Sequence, residues 1–241
     1  MSTTLHEYDQ HADDERAHTD YWAQTRQNIL GSWVSESDPN YILDIGCGSG
    51  YLARYLGRKG RYISGVDLEK EFVSQTSARP GVNSALIGNA TQLPYATSSF
   101  DCIVLGDILE HFEDPLPVVR ESNRVLSSDG TLLVSVPACP WLWGPHDEHN
   151  DHAERYTLSR LSELVDKVGF QVTKHRYTNF LPLPIYFVLQ RVFCCAIPEN
   201  VRGGHNKGIE QVKKAFIWLE TNVSFPVGIT LLAKCRRITH S

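Results

Sequence analysis

No C-x-x-C pair occurs in this chain, and none of its six cysteines stands at a metal-binding or redox spacing. Cys47 sits in a glycine-rich stretch, Cys102 in an apolar run, and Cys194 and Cys195 are adjacent. With no secretory signal at its start, this usage predicts reduced thiols and a cytoplasmic protein. An uninterrupted apolar run of about 18 residues is also missing, so no transmembrane segment is expected. Positive charge is scarce: 23 Lys and Arg stand against 28 Asp and Glu, a net charge of −5. That balance argues against nucleic acid as a partner, because phosphate binding wants a basic surface. The small clusters Lys207, Lys213, Lys214 and Arg236, Arg237 read as solvated charge. Internal repeats and low-complexity tracts are absent. What is present is ordinary globular material, 241 residues with 41% hydrophobic and 21% charged, enough for one large domain or one domain with an insertion.

Polar residues fill 1–20, and a helical pattern runs from about Asp14 to Trp33. Ser37 to Asn40 then break it. From Tyr41 strands and helices alternate. Strands are expected at Tyr41–Ile45, Arg61–Asp67, Ser84–Ile87, Phe100–Leu105 and Thr131–Val136. Helices are expected after Gly50, over Glu69–Ala78, and from Pro115 to about Leu126 with Asp114 as its cap. Repeated β-α-β units with apolar strands predict an α/β fold, a doubly wound, Rossmann-like and mostly parallel sheet. Thr157 caps a further helix whose face carries Leu158, Leu161, Leu164, Val165 and Val168, and Gly169 stops it. Phe170–His175 and Val227–Lys234 read as the sixth and seventh strands. The stretch of about 50 residues between them is too long for a plain loop. It holds the apolar run Ile185–Ile197 and a three-four stripe of Ile209, Val212, Phe216, Leu219 and Val223.

The segment Tyr41-Ile-Leu-Asp-Ile-Gly-Cys-Gly-Ser-Gly50 is the most informative. A buried strand ends in Asp44, and Gly46, Gly48 and Gly50 follow at alternate positions. Glycines there permit a tight turn and a close approach of a ligand to the backbone, and the helix behind them offers free N–H groups. Asp67 ends the next strand, 19 residues after Gly48, where doubly wound folds hold an acid on ribose hydroxyls. Dinucleotides and S-adenosylmethionine both fit such a site. A dinucleotide loop needs a third glycine at position 51, which is Tyr51.

At these residues the chain resembles the class I S-adenosylmethionine-dependent methyltransferases, especially small-molecule enzymes related to the ubiquinone-biosynthesis O-methyltransferases. The resemblance covers roughly residues 40–175. It rests on the segments Leu43–Gly50, Gly65-Val-Asp67, Gly88–Pro94, Ser99-Phe-Asp101, Gly106-Asp-Ile-Leu-Glu-His111 and Arg124–Gly130, in that order. It implies a seven-stranded sheet with an antiparallel last strand, a helical lid at 1–40, a methyltransferase domain at 41–241, and a helical insertion at about 177–225. It further implies S-adenosylmethionine as cofactor. Gly46, Cys47, Gly48 and Gly50 would surround its methionine part, and Asp44 would hold the loop and the amino group. Asp67 would bind the ribose, Leu68 and Ala90 would flank the adenine, and Gly106 and Asp107 would face the methionine end. Asn89 stands where the family often has aspartate, and an amide oxygen can also accept from the adenine amino group.

Methyl transfer to a hydroxyl needs alignment and a base, and histidine is the usual base near neutral pH. His111 follows the fourth strand. A second source is the loop Trp141–Tyr156, which packs His146, Asp147, His149 and His152 into seven residues beyond the fifth strand. His111 and His146 are the candidate bases. Histidine and aspartate also ligate divalent ions. Side chains so close in one loop need a special geometry, however, and no helical i, i+4 pair is evident, so no metal ligand is assigned. Trp141 and Trp143 are candidates for stacking on a flat acceptor or for covering the core.

The apolar segment from Phe180 to Ile197 admits several readings. It could cover an apolar or lipid-linked acceptor, touch a membrane surface peripherally, form a homodimer contact, or pack as an ordinary helix. The leading expectation is O-methylation of a small organic acceptor. A cofactor-binding but inactive regulatory protein and a nucleotide-cofactor oxidoreductase are the alternatives.

Overall fold

Apolar, β-branched runs bounded by turn residues build a single seven-stranded sheet, in the order β3-β2-β1-β4-β5-β7-β6. The strands are β1 (Tyr41–Ile45), β2 (Tyr62–Asp67), β3 (Ser84–Ile87), β4 (Phe100–Gly106), β5 (Leu126–Pro137), β6 (Phe170–Thr178) and β7 (Thr230–Arg237). In this computed structural model the described residues are 21–57, 60–191, 193 and 207–238, with backbone alone for 207–210. Residues 1–20, the pair Cys194 and Cys195 and the end of the apolar run at 194–197 lie outside them, as does the Ile209 side chain.

Strands β1 to β5 pair in parallel, and β7 runs antiparallel between β5 and β6. This is the expected mostly parallel sheet with its reversed last strand. Chain order reverses between β1 and β4. The strand ends there diverge and leave the crevice in which doubly wound sheets bind ligands. Helices α1 (Tyr21–Ser37), α2 (Tyr51–Leu56), α3 (Lys70–Ser77), α4 (Leu116–Val125), α5 (Pro145–His149) and α6 (Leu158–Asp166) cover the faces, and α7 (Leu183–Arg191) and α8 (Lys207–Asn222) form the insertion before β7. Side chains of β1, β4 and β5 on one face pack with α4 and α6, while those on the other face pack with α1 and α2. Several predicted caps operate. Asp114 Oδ1 accepts from Leu116 N at 3.1 Å, Thr157 Oγ1 accepts from Arg160 N at 3.1 Å, and Gly169 ends α6 at φ 82°. No helix among the described residues is long and apolar enough to cross a membrane.

One strand boundary shifts, and one apolar stripe faces outward. Strand β7 begins at Thr230 rather than Val227. Gly228 lies so close to Thr178 that a Cβ would meet its carbonyl oxygen at 2.2 Å, and Ile229 O accepts from Ala138 N at 2.7 Å. These residues are therefore a tight connector. The apolar stripe on α8 is turned outward: Val212, Phe216 and Val223 are exposed, and Ile217 and Glu220 are buried instead. The reason is polar. The chain breaks from β6 into α7 at Asn179, leaving backbone N–H groups without a ladder, and the Glu220 carboxylate accepts from Asn179 N and Leu181 N. Satisfying buried donors outweighs burying that stripe.

Candidate active site

The turn after β1 is held from both sides. Gly46 N and Cys47 N donate to Val66 O at 2.8 and 3.1 Å, and Gly48 N donates to Asp67 Oδ2 at 2.9 Å. Asp67 Oδ1 also accepts from Glu69 N at 3.0 Å, so the acid that ends β2 fixes the loop and, with two carboxylate oxygens, has acceptor capacity to spare. Gly46 and Gly48 both have positive φ, 71° and 51°, yet differ in surroundings. A Cβ on Gly46 would strike Ile108 at 2.5 Å, whereas one on Gly48 would meet nothing within 4 Å. Gly48 thus borders open space that a ligand can enter. Asp44 is 1% exposed, and its Oδ2 has no hydrogen-bond partner among the described residues. Burial raises its carboxyl to about 7, opposed by the Arg26 charge and reinforced by Asp67. Cys47 is buried and its thiol is pushed up to about 12 by burial, which suits a filler rather than a nucleophile.

Leu68, just past β2, is 66% exposed, and Ala90 is buried. Asn89 Oδ1 accepts from Thr91 N and Thr91 Oγ1, both at 2.9 Å, which makes it the anchor of a local turn. Gly106 closes β4, with Leu52 Cδ2 3.0 Å from where its Cβ would lie. Asp107 follows at φ 55°; its carboxylate pairs with Arg26 of α1 and accepts from Ser135 Oγ.

Beyond β4 and β5 lies a cavity of about 260 Å³ that brings His111, His146 and Asp107 together. A 3-10 turn, Leu109–His111, carries Glu110 and His111 to its wall, anchored by the fully buried Leu109. The opposite wall comes from the loop after β5. Pro145 starts α5, and Asp147 reaches back to accept from Gly144 N at 3.1 Å. Asp147 Oδ1 also accepts from Arg155 Nε at 2.7 Å and pairs with His152 Nδ1 at 2.9 Å. Although burial opposes it, these bonds hold the Asp147 carboxyl below its usual range. The loop is tied to the 3-10 turn by Ala153 N donating to Glu110 O at 2.6 Å. His146 packs edge-on to Trp22, Tyr186 and His152, and Asn150 Nδ2 lies 3.3 Å from its Nδ1. Burial, and then the neighbouring His152, lower the His111 pKa below 6.5. Burial raises Glu110 to about 8.

Residues 43–134 match the family described as a methyltransferase domain. The chain is 28% identical over 158 residues to a Mycolicibacterium smegmatis protein named "Probable S-adenosylmethionine-dependent methyltransferase", covering 65% of this chain and 62% of that one. It is 30% identical over 99 residues to a ubiquinone biosynthesis O-methyltransferase of Xanthomonas campestris, covering 39% and 41%. The match thus spans less than two thirds of each relative's length. The fold is shared with a SAM-dependent methyltransferase of Thermotoga maritima, at 18% identity, a TM-score of 0.61 and 92% of both chains. Residues 43–134 therefore match a methyltransferase domain, and the sheet that holds them has the fold of S-adenosylmethionine-dependent methyltransferases.

The methyltransferase domain fits its cofactor on structural grounds. Asp44 offers a buried, unpartnered carboxylate oxygen for an ammonium, and Gly48 leaves room for a ligand against the backbone. Asp67, expected on the ribose, ends β2 beside this opening, and Leu68 next to it is exposed. His111 and His146 of the sequence reading share the cavity; His149 does not line it, nor do Trp141 and Trp143. Trp141 instead packs on Phe187, with ring centroids 5.8 Å apart. Sequence reasoning assigned no role to Glu110, Arg26 or His152 individually. Glu110 was visible as the acid beside His111, but its burial comes from the sheet. Arg26 gave no signal, because its partner Asp107 is 81 residues away.

Proposed function

We propose that this protein methylates a small organic acceptor, most naturally on oxygen, using S-adenosylmethionine. The cavity that joins His111 and His146 to the β4 end at Asp107 carries the reading, because it sets candidate proton acceptors beside the methionine end of the expected cofactor site. S-adenosylmethionine, when bound, supplies a methyl group on a sulfonium centre. The chain's own residues then have three tasks: to hold cofactor and acceptor in line, to exclude water, and to take the acceptor proton. Asp44, Gly48 and Asp67 would hold the cofactor. Trp22 and Tyr186 close the cavity with apolar ring surface. His111, with its pKa lowered, is neutral at pH 7 and has a lone pair to offer; His146 is the second candidate.

The acceptor's apolar character is supported by α7. Its Tyr186 lines the cavity while Ile185, Phe187 and Val188 on the same helix are exposed, a face suited to an apolar or lipid-linked molecule or to peripheral membrane contact. Flotation with liposomes tests the membrane version; no binding to any lipid mixture removes it. Labelled-methyl transfer to a panel of hydroxyl acceptors tests the reaction. With saturating cofactor, replacing the base by alanine should lower kcat by about 10²–10⁴-fold. If His111→Ala and His146→Ala both keep full turnover, neither is the base. If cofactor binds and no acceptor is methylated, the protein is the inactive binding protein instead.

A further inference from the structure

Glu110, His111 and His152 form a cluster that methyl transfer does not by itself explain. One ligand atom from each lies within 4.8 Å of those of the others. Glu110 is 1% exposed, and its Oε2 has no hydrogen-bond partner among the described residues. A buried carboxylate oxygen without a donor is costly to leave so. Both imidazoles are held by a hydrogen bond of their own. His152 Nδ1 is fixed on Asp147 Oδ1 at 2.9 Å, which leaves Nε2 as its lone-pair nitrogen, and His111 hydrogen-bonds to the Asp151 backbone. An imidazole anchored at one nitrogen by a carboxylate or carbonyl, and presenting the other, is the arrangement that orients metal-ligating histidines. The two rings stand 5.1 Å apart at 79°. Local charge agrees. The carboxylates of Asp107 and Asp147 are paired with Arg26 and Arg155, whereas Glu110 makes no ion pair among the described residues and stands ready to ionise onto a cation.

We propose that Glu110, His111 and His152 bind one divalent transition-metal ion at the wall of the cavity. Two imidazoles and one carboxylate suit zinc, manganese, iron or cobalt, and three protein ligands leave positions open towards the cavity that all three residues line. The cation site does not depend on the methyltransferase reading. If that reading holds, the acceptor oxygen is the natural occupant of an open position, and His146 remains as the ring able to take its proton. The sequence concealed this set because His152 lies 41 positions from His111, and the Ala153–Glu110 backbone bond brings them together.

The test uses the full chain stripped with a chelator and titrated with Mn²⁺, following the free-ion electron paramagnetic resonance signal. One ion per chain is expected. Glu110→Gln and His152→Ala should each weaken binding at least tenfold, while His149→Ala, outside the cavity, should leave it unchanged. Pulsed measurements on the wild type read imidazole nitrogen couplings to the bound ion, so the outcome stands even if a variant fails to fold. Calorimetry with S-adenosylmethionine on the stripped protein scores cofactor binding separately. Absence of Mn²⁺ binding, binding unaffected by Glu110→Gln and His152→Ala, or absence of nitrogen coupling overturns the proposal.

Discussion

Among single residues, Gly46 and Gly48 separate structural need from ligand need. Alanine at either position costs about 1–2 kcal/mol of left-handed backbone strain. At Gly46 it also drives a methyl into Ile108. Gly46→Ala should therefore lower the melting temperature well below that of Gly48→Ala. Gly48→Ala should fold, because its Cβ meets no atom of the described residues within 4 Å, and lose cofactor affinity in a calorimetric titration. Asp44 gives a pH signature. Its carboxyl is raised to about 7 in the free protein, and a cofactor ammonium beside it needs the ionised form. Affinity should be full above about pH 8 and fall by roughly tenfold between pH 8 and 6 as the group protonates. The same shift acts oppositely on stability. Between the unfolded value of 3.8 and about 7 the native state holds the extra proton, so Asp44's contribution to stability declines as pH rises through that window. Asp44→Asn should flatten both dependences, raise the melting temperature at pH 8, and abolish tight cofactor binding.

At the level of elements, the α5 loop depends on one buried ion pair. The Asp147 and Arg155 side chains are 0% and 1% exposed, and Arg155 also donates to Ala138 O at 3.0 Å and to the Tyr186 hydroxyl. Removing one partner leaves a buried guanidinium unmatched, which costs about 3–5 kcal/mol. Asp147→Ala should show that loss in denaturant melts, with the cavity wall disordered in hydrogen exchange. What could be read from sequence follows the range of the forces involved. Caps at Asp114 and Thr157 and the stop at Gly169 are local, and each appears where its residue type predicts. The stripe on α8 left its direction open, because three-four spacing reports an apolar face and not where it points. The burial of Glu220 was set by N–H groups of Asn179 and Leu181, about 40 residues earlier. The His152–Glu110–His111 cluster was hidden for the same reason.

For the molecule as a whole, the α/β order was legible because each βα unit repeats the same short-range pattern, and five apolar strands leave little choice of sheet. The place of the N-terminal helix was less so. The sequence reading treats residues 1–40 as a lid, yet α1 buries Ile29, Leu30 and Val34 against β1, β4 and α2. Lys234, inside β7, donates to Trp33 O and Glu36, and Arg26 pairs with Asp107. A helix so tied is core as well as wall. Deleting residues 1–37 should abolish cooperative thermal unfolding rather than simply open the site.

The central claim is that the β1 turn and the acids of β1 and β2 hold a sulfonium nucleoside. Isothermal titration of the intact chain with S-adenosylmethionine, and with its demethylated product S-adenosylhomocysteine, tests it most directly. One site per chain for both ligands, lost in Asp67→Ala, is the predicted result. Absence of binding for both would contradict the account.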